Sequence, residues 1–186
     1  MWRLLLALVF VPRAIAATET TVETQRHGNA IEISARAEIN ASPETVWQVL
    51  TDYDHYTDFI PGLTVSRVLK RDQGSVVVEQ KGEARFLVFS LPLEERLAVT
   101  EVPFRSVRSQ ATEGTLREMN GRYDLEPFSD GVRLTYVGRL VLAEEGPSFV
   151  DLIAVRLNVT RQFEALVREI DRRSAAAAGA GGTQAQ

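Results

Sequence analysis

The chain has 186 residues, 45% apolar and 25% charged, enough for one domain with a sizeable core and too apolar for global disorder. Its formal net charge of −4 leaves no basic surplus to attract a phosphate backbone, so nucleic acid is excluded as an expected partner. There is no cysteine, and His27 and His55 are the only histidines; disulfides, thiolate chemistry and Cys- or His-rich metal centres are excluded, and neither a metal nor a cofactor is expected.

Met1 to Ala16 reads as an export signal. Arg3 supplies the positive start, and Leu4 to Val11 is an apolar run too short to span a bilayer. Pro12 breaks the run, and Ala14-Ile15-Ala16 has the small-x-small pattern of a cleavage site. The expected product is periplasmic or secreted, cut after Ala16. Residues 17–28 are polar and lack a clear period, which predicts a flexible lead-in to a domain over residues 29–174.

Ile31 to Ile39 alternates apolar and polar residues strictly, the mark of a strand with one buried face. Ser42 is placed to cap a helix and Pro43 suits its first turn, where no N–H is needed. Val46, Trp47 and Leu50 form the apolar side of that helix. Asp52 or Asp54 starts a second short helix carrying Tyr56 and Phe59, closed by Pro61-Gly62.

Six strands are predicted next: Thr64–Lys70, Ser75–Gly82, Arg85–Glu101, Ser106–Thr112, Thr115–Pro127 and Val132–Ala143. Turn signals separate them, among them Asp72-Gln73-Gly74, Gly82-Glu83 and Glu113-Gly114. Connections this short require antiparallel pairing. Pro92 inside the third run predicts a bulge or an edge.

Ser148 and Asp151 form a capping-box pattern after Gly146-Pro147. From Phe149 to Ile170, apolar residues then recur at helical spacing, and the helix is predicted to run through Arg173. The small residues of 175–186 have nothing to bury and read as a disordered tail. The expected class is α+β. A curved, seven-stranded antiparallel sheet grips the long C-terminal helix, two short helices follow the first strand, and a space suited to a small molecule lies between sheet and helix.

The run Ile39-Asn40-Ala41-Ser42-Pro43-Glu44-Thr45-Val46-Trp47, continuing through Leu50-Thr51-Asp52-Tyr53 to Leu63, resembles the opening of the START-like superfamily. Within that superfamily it is similar to the polyketide cyclase/dehydrase and coenzyme Q-binding branch. Gly121-Arg122-Tyr123-Asp124-Leu125 and Gly131-Val132-Arg133-Leu134-Thr135-Tyr136 resemble the same family's final hairpin. The resemblance implies the helix-grip (START/Bet v 1-like) fold and a hydrophobic cavity for lipids, isoprenoid quinones or polyketides. Members of such a family include carriers, chaperone-like binders and cyclases, so the fold does not choose the function.

Arg156 falls at the centre of the final helix's apolar stripe, between Leu152, Val159 and Phe163, with Thr160 beside it. A guanidinium there must pair with a strand carboxylate such as Glu79, reach solvent at the cavity mouth, or meet a ligand's polar group. Tyr123 and Tyr136 lie in phase with Met119, Leu125 and Leu134 and are expected on the cavity wall. The run Arg85–Leu93 is apolar on both faces, with Phe89 on one of them. Burial is the expected fate, and an edge for association or transient membrane contact is the alternative. His55 with Asp52, Asp54 and Asp58 is read as capping and solvating a short helix rather than as a metal or acid–base cluster.

The leading expectation is a non-catalytic binder of a hydrophobic small molecule or lipid, with Arg156, Thr160, Phe163, Leu152, Val159, Tyr123, Tyr136, Met119 and Phe89 as candidate ligand contacts. The alternatives are a cyclase or dehydrase acting on a polyketide-like substrate and a protein-interaction module. A convergent acid and base inside the cavity would favour the enzyme, but no buried carboxylate or histidine is evident from sequence.

Overall fold

The computed structural model describes residues 18–86, 89–142 and 148–181. The expected leader, Met1 to Ala16, lies outside the described residues. Eight strands form one antiparallel sheet. They are β1 (Thr20–His27), β2 (Ala30–Ile39), β3 (Leu63–Asp72), β4 (Ser75–Phe86), β5 (Phe89–Val102), β6 (Ser106–Gly114), β7 (Glu118–Phe128) and β8 (Gly131–Val141). Their order across the sheet is β1-β2-β8-β7-β6-β5-β4-β3. Three α-helices complete the fold among the described residues: α1 (Pro43–Leu50), α2 (Tyr56–Phe59), which follows a short 3-10 turn at Tyr53–His55, and α3 (Ser148–Gly181). The helix-grip architecture is thus present, with one strand more than expected.

The additional strand is β1, which replaces the expected flexible lead-in. It pairs with β2 from Thr20↔Ala37 to His27↔Ala30 across the two-residue turn Gly28-Asn29. Gly28 has φ +61°, a conformation that costs glycine little. Val22 joins the core while Thr21, Glu23 and Gln25 stay exposed, so β1 has the alternation of an edge strand with little apolar content.

The sheet has one dry face. Along β2, Ile31, Ile33, Ala35, Ala37 and Ile39 are buried between exposed Glu32, Ser34, Arg36 and Glu38. The same parity holds for Val76 and Val78 on β4, Leu97 and Val99 on β5, and Val132 and Leu134 on β8. These side chains meet Val46, Val49 and Leu50 of α1, and Phe163, Leu166, Val167 and Ile170 of α3. Ser42 caps α1 as predicted, its hydroxyl oxygen accepting from the Thr45 N–H at 3.2 Å.

Two boundaries, at Gly82 and at the end of α3, differ from expectation for physical reasons, and Pro92 falls on the edge expected of it. Gly82 is not a turn but an interior residue of β4, where a Cβ would collide with the Gly62 carbonyl oxygen; the glycine permits two backbones to meet. Pro92 lies where β5 extends past β6, whose pairing begins only at Glu95↔Gly114, so the missing N–H falls beyond the three-stranded ladder. The helix α3 runs on to Gly181 instead of ending near Arg173. Residues 175–179 are exposed, but Ala175 to Ala178 carry the highest helix propensity of any residue and need no packing to continue a helix already nucleated. Among the described residues no helix is long and apolar enough to cross a membrane.

Candidate functional site

The interior of the sheet divides into a filled end and a half-open end. On the β7–β8 hairpin Leu125↔Leu134 is a directly opposed, buried pair. Moving along the hairpin, the next inward pairs are Tyr123↔Tyr136, Gly121↔Gly138 and Met119↔Leu140, all only half-buried apart from Gly121. The two tyrosine rings stack across the strands with centroids 4.7 Å apart. Burial pushes the Tyr136 phenol up to about 12 and raises Tyr123 further, the neighbouring Tyr136 adding to it. Neither hydroxyl has a hydrogen-bond partner among the described residues.

The long helix faces this wall from a distance. Its close backbone approaches are to β1 and β2 at one edge, to β4 near the other, and to α1 and α2; it makes no comparable approach to the central strands β5 to β8. Along the helix, Phe163 is buried, whereas Val159, Thr160 and Leu152 are half-buried. Phe163, Val159, Tyr123, Tyr136 and Met119 therefore belong to one apolar ensemble, as their phases predicted. The side chain of Phe89, like those of residues 85–88 and 91, lies outside the described part of the structure.

Arg156 is exposed, and the anticipated partner is committed elsewhere: Glu79 accepts from Arg67 Nε at 2.6 Å. Of the fates its place in the stripe allows, pairing with Glu79 is not the one observed, and Arg156 has no ion pair among the described residues. Arg156 instead lines a groove of about 1090 Å³, together with residues of the sheet's outer face.

One interior carboxylate escaped the sequence reading. Glu95 lies between Leu93 and Leu97 in the inward parity of β5 and is only 7% exposed. Its Oε1 accepts from the Leu116 N–H at 2.9 Å and from the Thr115 hydroxyl at 3.2 Å. Its Oε2 has no partner and packs over Gly114, where any Cβ would collide with it. Burial raises the carboxyl above its ordinary value, against the opposing pull of hydrogen bonds from Leu116 and Thr115. The signal was present in the alternation of β5, which turns Glu95 inward with Leu97 and Val99.

The acidic cluster also differs from expectation. Asp52 does not cap the turn after α1. Its Oδ1 meets His55 Nδ1 at 2.6 Å, and its Oδ2 accepts from Arg173 at 2.7 Å. Arg173 also donates to Glu169 at 2.6 Å, and Arg172 donates to the same carboxylate at 2.7 Å. Asp54 accepts from the Val68 N–H at 2.7 Å. These contacts clamp the α1–α2 segment to α3 and β3. Among the described residues no group of three or more His, Asp or Glu side chains is arranged to hold a metal ion.

Comparison with known proteins gives a consistent fold. The family model described as polyketide cyclase / dehydrase and lipid transport matches residues 39–174. The Zhui aromatase/cyclase from Streptomyces sp. R1128 superposes with a TM-score of 0.66 at 17% identity, covering 77% of this chain and 95% of that one. The STAR-related lipid transfer protein from Xanthomonas axonopodis gives 0.64 at 15% identity, covering 83% and 99%. A START superfamily protein from Mycobacterium smegmatis gives 0.58 at 18% identity, covering 78% and 97%. No curated protein matches by sequence.

Proposed function

This chain belongs to the polyketide cyclase / dehydrase and lipid transport family, and from that premise we propose that it binds and carries a hydrophobic small molecule between α3 and strands β5 to β8. One observation carries the reading. The wall formed by Met119, Tyr123 and Tyr136 is apolar and incompletely covered, and its two hydroxyls are uncommitted. A half-covered apolar wall favours an apolar guest, because covering it removes its surface from water. A phenol hydroxyl without a partner favours a guest with one polar group. A lipid, an isoprenoid quinone or a polyketide-like molecule has both features.

The reading includes export through the leader Met1–Ala16, and loading from a membrane. Ile153 and Leu157, adjacent on the helix face beside Arg156, are 47% and 39% exposed, which supports a transient apolar contact at that end. N-terminal sequencing of the native protein is expected to begin at Ala17, and a retained Met1 would overturn the export claim.

The decisive experiment is native mass spectrometry of protein purified from its host's membrane fraction, followed by identification of any released molecule. A bound apolar mass is expected. Protein that is recovered empty and also takes up no hydrophobic fluorescent probe would overturn the reading.

A second reading, a cyclase or dehydrase, is favoured by Glu95 alone. A buried carboxyl held above its ordinary value is suited to donate a proton. Its sealed position under Gly114 favours the carrier, since a ligand must displace the Gly114–Arg117 turn to reach Oε2.

A further inference from the structure

The sheet's outer face carries a second candidate site, separate from the interior. Across it runs an unbroken row of directly paired residues: Thr100, Arg108, Arg122, Val137, Ser34 and Glu23, one from each of six adjacent strands. A parallel row two residues along includes Gln110, Asn120, Arg139 and Glu32. Both rows line the groove of about 1090 Å³ that Arg156 also borders. Five strand spacings make it about 24 Å long.

The groove holds two uncompensated arginines in an acidic chain. Its lining holds four arginines (Arg108, Arg122, Arg139, Arg156) against two glutamates (Glu23, Glu32), whereas the whole chain has 25 acidic and 21 basic residues. Two of the four guanidiniums are internally satisfied. Arg122 is held by Asp124 with its Nε at 2.7 Å, and Arg139 is paired with Glu118. Arg108 and Arg156 are exposed and have no hydrogen bond or ion pair among the described residues. Glu32 is shared with His27 at 3.0 Å.

Arg108 and Arg122 are a directly opposed pair. Asp124 already offsets the charge of Arg122, so Arg108 is the guanidinium left open to a counter-ion. Opposed Cα atoms stand about 4.5–5.5 Å apart, close enough for two guanidinium forks to converge on one oxyanion. The neighbouring Gln110↔Asn120 pair and Thr100 add amide and hydroxyl groups. We propose that this groove binds a hydrophilic oxyanion, a phosphate or carboxylate carrying hydrogen-bonding groups, with Arg108 as its free anchor, Arg122 opposite it and Arg156 at its border.

The test titrates the purified protein with inorganic pyrophosphate and, separately, with citrate, at low ionic strength, by calorimetry and by NMR of the arginine Nε–Hε groups. Saturable binding with shifts at Arg108 and Arg122 is expected. A response to pyrophosphate alone assigns a phosphate ligand, and a response to citrate alone assigns a carboxylate. Arg108→Gln should weaken binding about tenfold or more without moving the melting temperature, since its side chain is exposed. Arg67→Gln, a surface change on β3, should leave binding unchanged, as should Tyr136→Phe, which separates this site from the interior one. Titrations that never saturate, equal affinity in Arg108→Gln and the unmodified protein, or equal loss in Arg67→Gln would each overturn the proposal.

Discussion

The phenol of Tyr136 lies across Gly121, so close that a Cβ there would stand 2.6 Å from its hydroxyl oxygen. Gly138, directly opposite Gly121, is covered in the same way at 2.5 Å. Two glycines facing each other across β7 and β8 make a shallow bed in which an aromatic ring can lie flat on the sheet. The glycine pair therefore sets how far the Tyr136 ring stands off the sheet.

Gly121→Ala should therefore lift the Tyr136 ring off the sheet and into the interior. The fold should tolerate the change, because the clash is with the movable end of a side chain; a stability change within about 1 kcal/mol is expected. The capacity of the interior should shrink. With fluorescent fatty acids of graded length as probes, the longest accepted chain should become shorter in the variant. An unchanged length profile would refute this role of the glycine pair.

Tyr136→Phe separates polar recognition from packing. Its hydroxyl has no partner to lose among the described residues, so unfolding free energies of the empty protein should stay within about 0.5 kcal/mol of each other. If the hydroxyl meets a ligand's polar group, affinity for the molecule identified by mass spectrometry should fall up to about tenfold, the worth of one neutral hydrogen bond. Equal affinity in both proteins would remove Tyr136 from the recognition of that ligand.

Phe163 is only 2% exposed and anchors the buried half of α3. Phe163→Ala should cost about 3–5 kcal/mol. Removing residues 175–186 should cost less than about 0.5 kcal/mol, because residues 175–179 are exposed helix beyond the packed face. Urea melts of both variants check the contrast, and the reverse order would mean that the grip is misplaced.

The clamp between α1, α2 and α3 should give stability a defined acid limb. Hydrogen bonds from Arg172, then Arg173, hold Glu169 down from 4.5 to about 2. Burial works to raise Asp52, but His55 and Arg173 outweigh it and hold that carboxyl low as well. For depressed carboxylates the contribution is present above the ordinary value and is lost as pH falls through the folded one. Comparing unfolding free energies of wild type and Glu169→Gln should show a difference on the order of 1–3 kcal/mol above pH 4.5 that closes towards pH 2. His55 works in the opposite sense. Its pKa is raised by Asp52, so its contribution is complete below the ordinary imidazole value and fades as pH rises through the raised one. A pH-independent difference between the two proteins would show that Glu169 acts through shape and not charge.

Most of the scaffold was legible in the sequence because the signals concerned are local. The alternation of Ile31–Ile39, the Ser42-Pro43 helix start and the 3.6-residue period through Phe163, Leu166, Val167 and Ile170 each specify an element from its own residues. The inward phase of Tyr123, Tyr136 and Met119 followed from the same alternation. β1 was not legible because it has one core residue, Val22, and is held in place by its ladder to β2 and by α3, contacts set by the fold.

What tertiary structure decided is what stands opposite each side chain. Helical spacing predicts an inward Arg156, yet the path of α3, close to β1, β2 and β4, leaves it exposed and without a partner among the described residues. Strand parity turned Glu95 inward, but its burial depends on Gly114 and Leu116, about twenty residues away. Asp52 had the sequence position of a cap and was taken instead by Arg173, on α3. Periodicity gives a side chain its direction, whereas its electrostatic environment is set by the distant segment it meets there, and that meeting is a property of the folded chain.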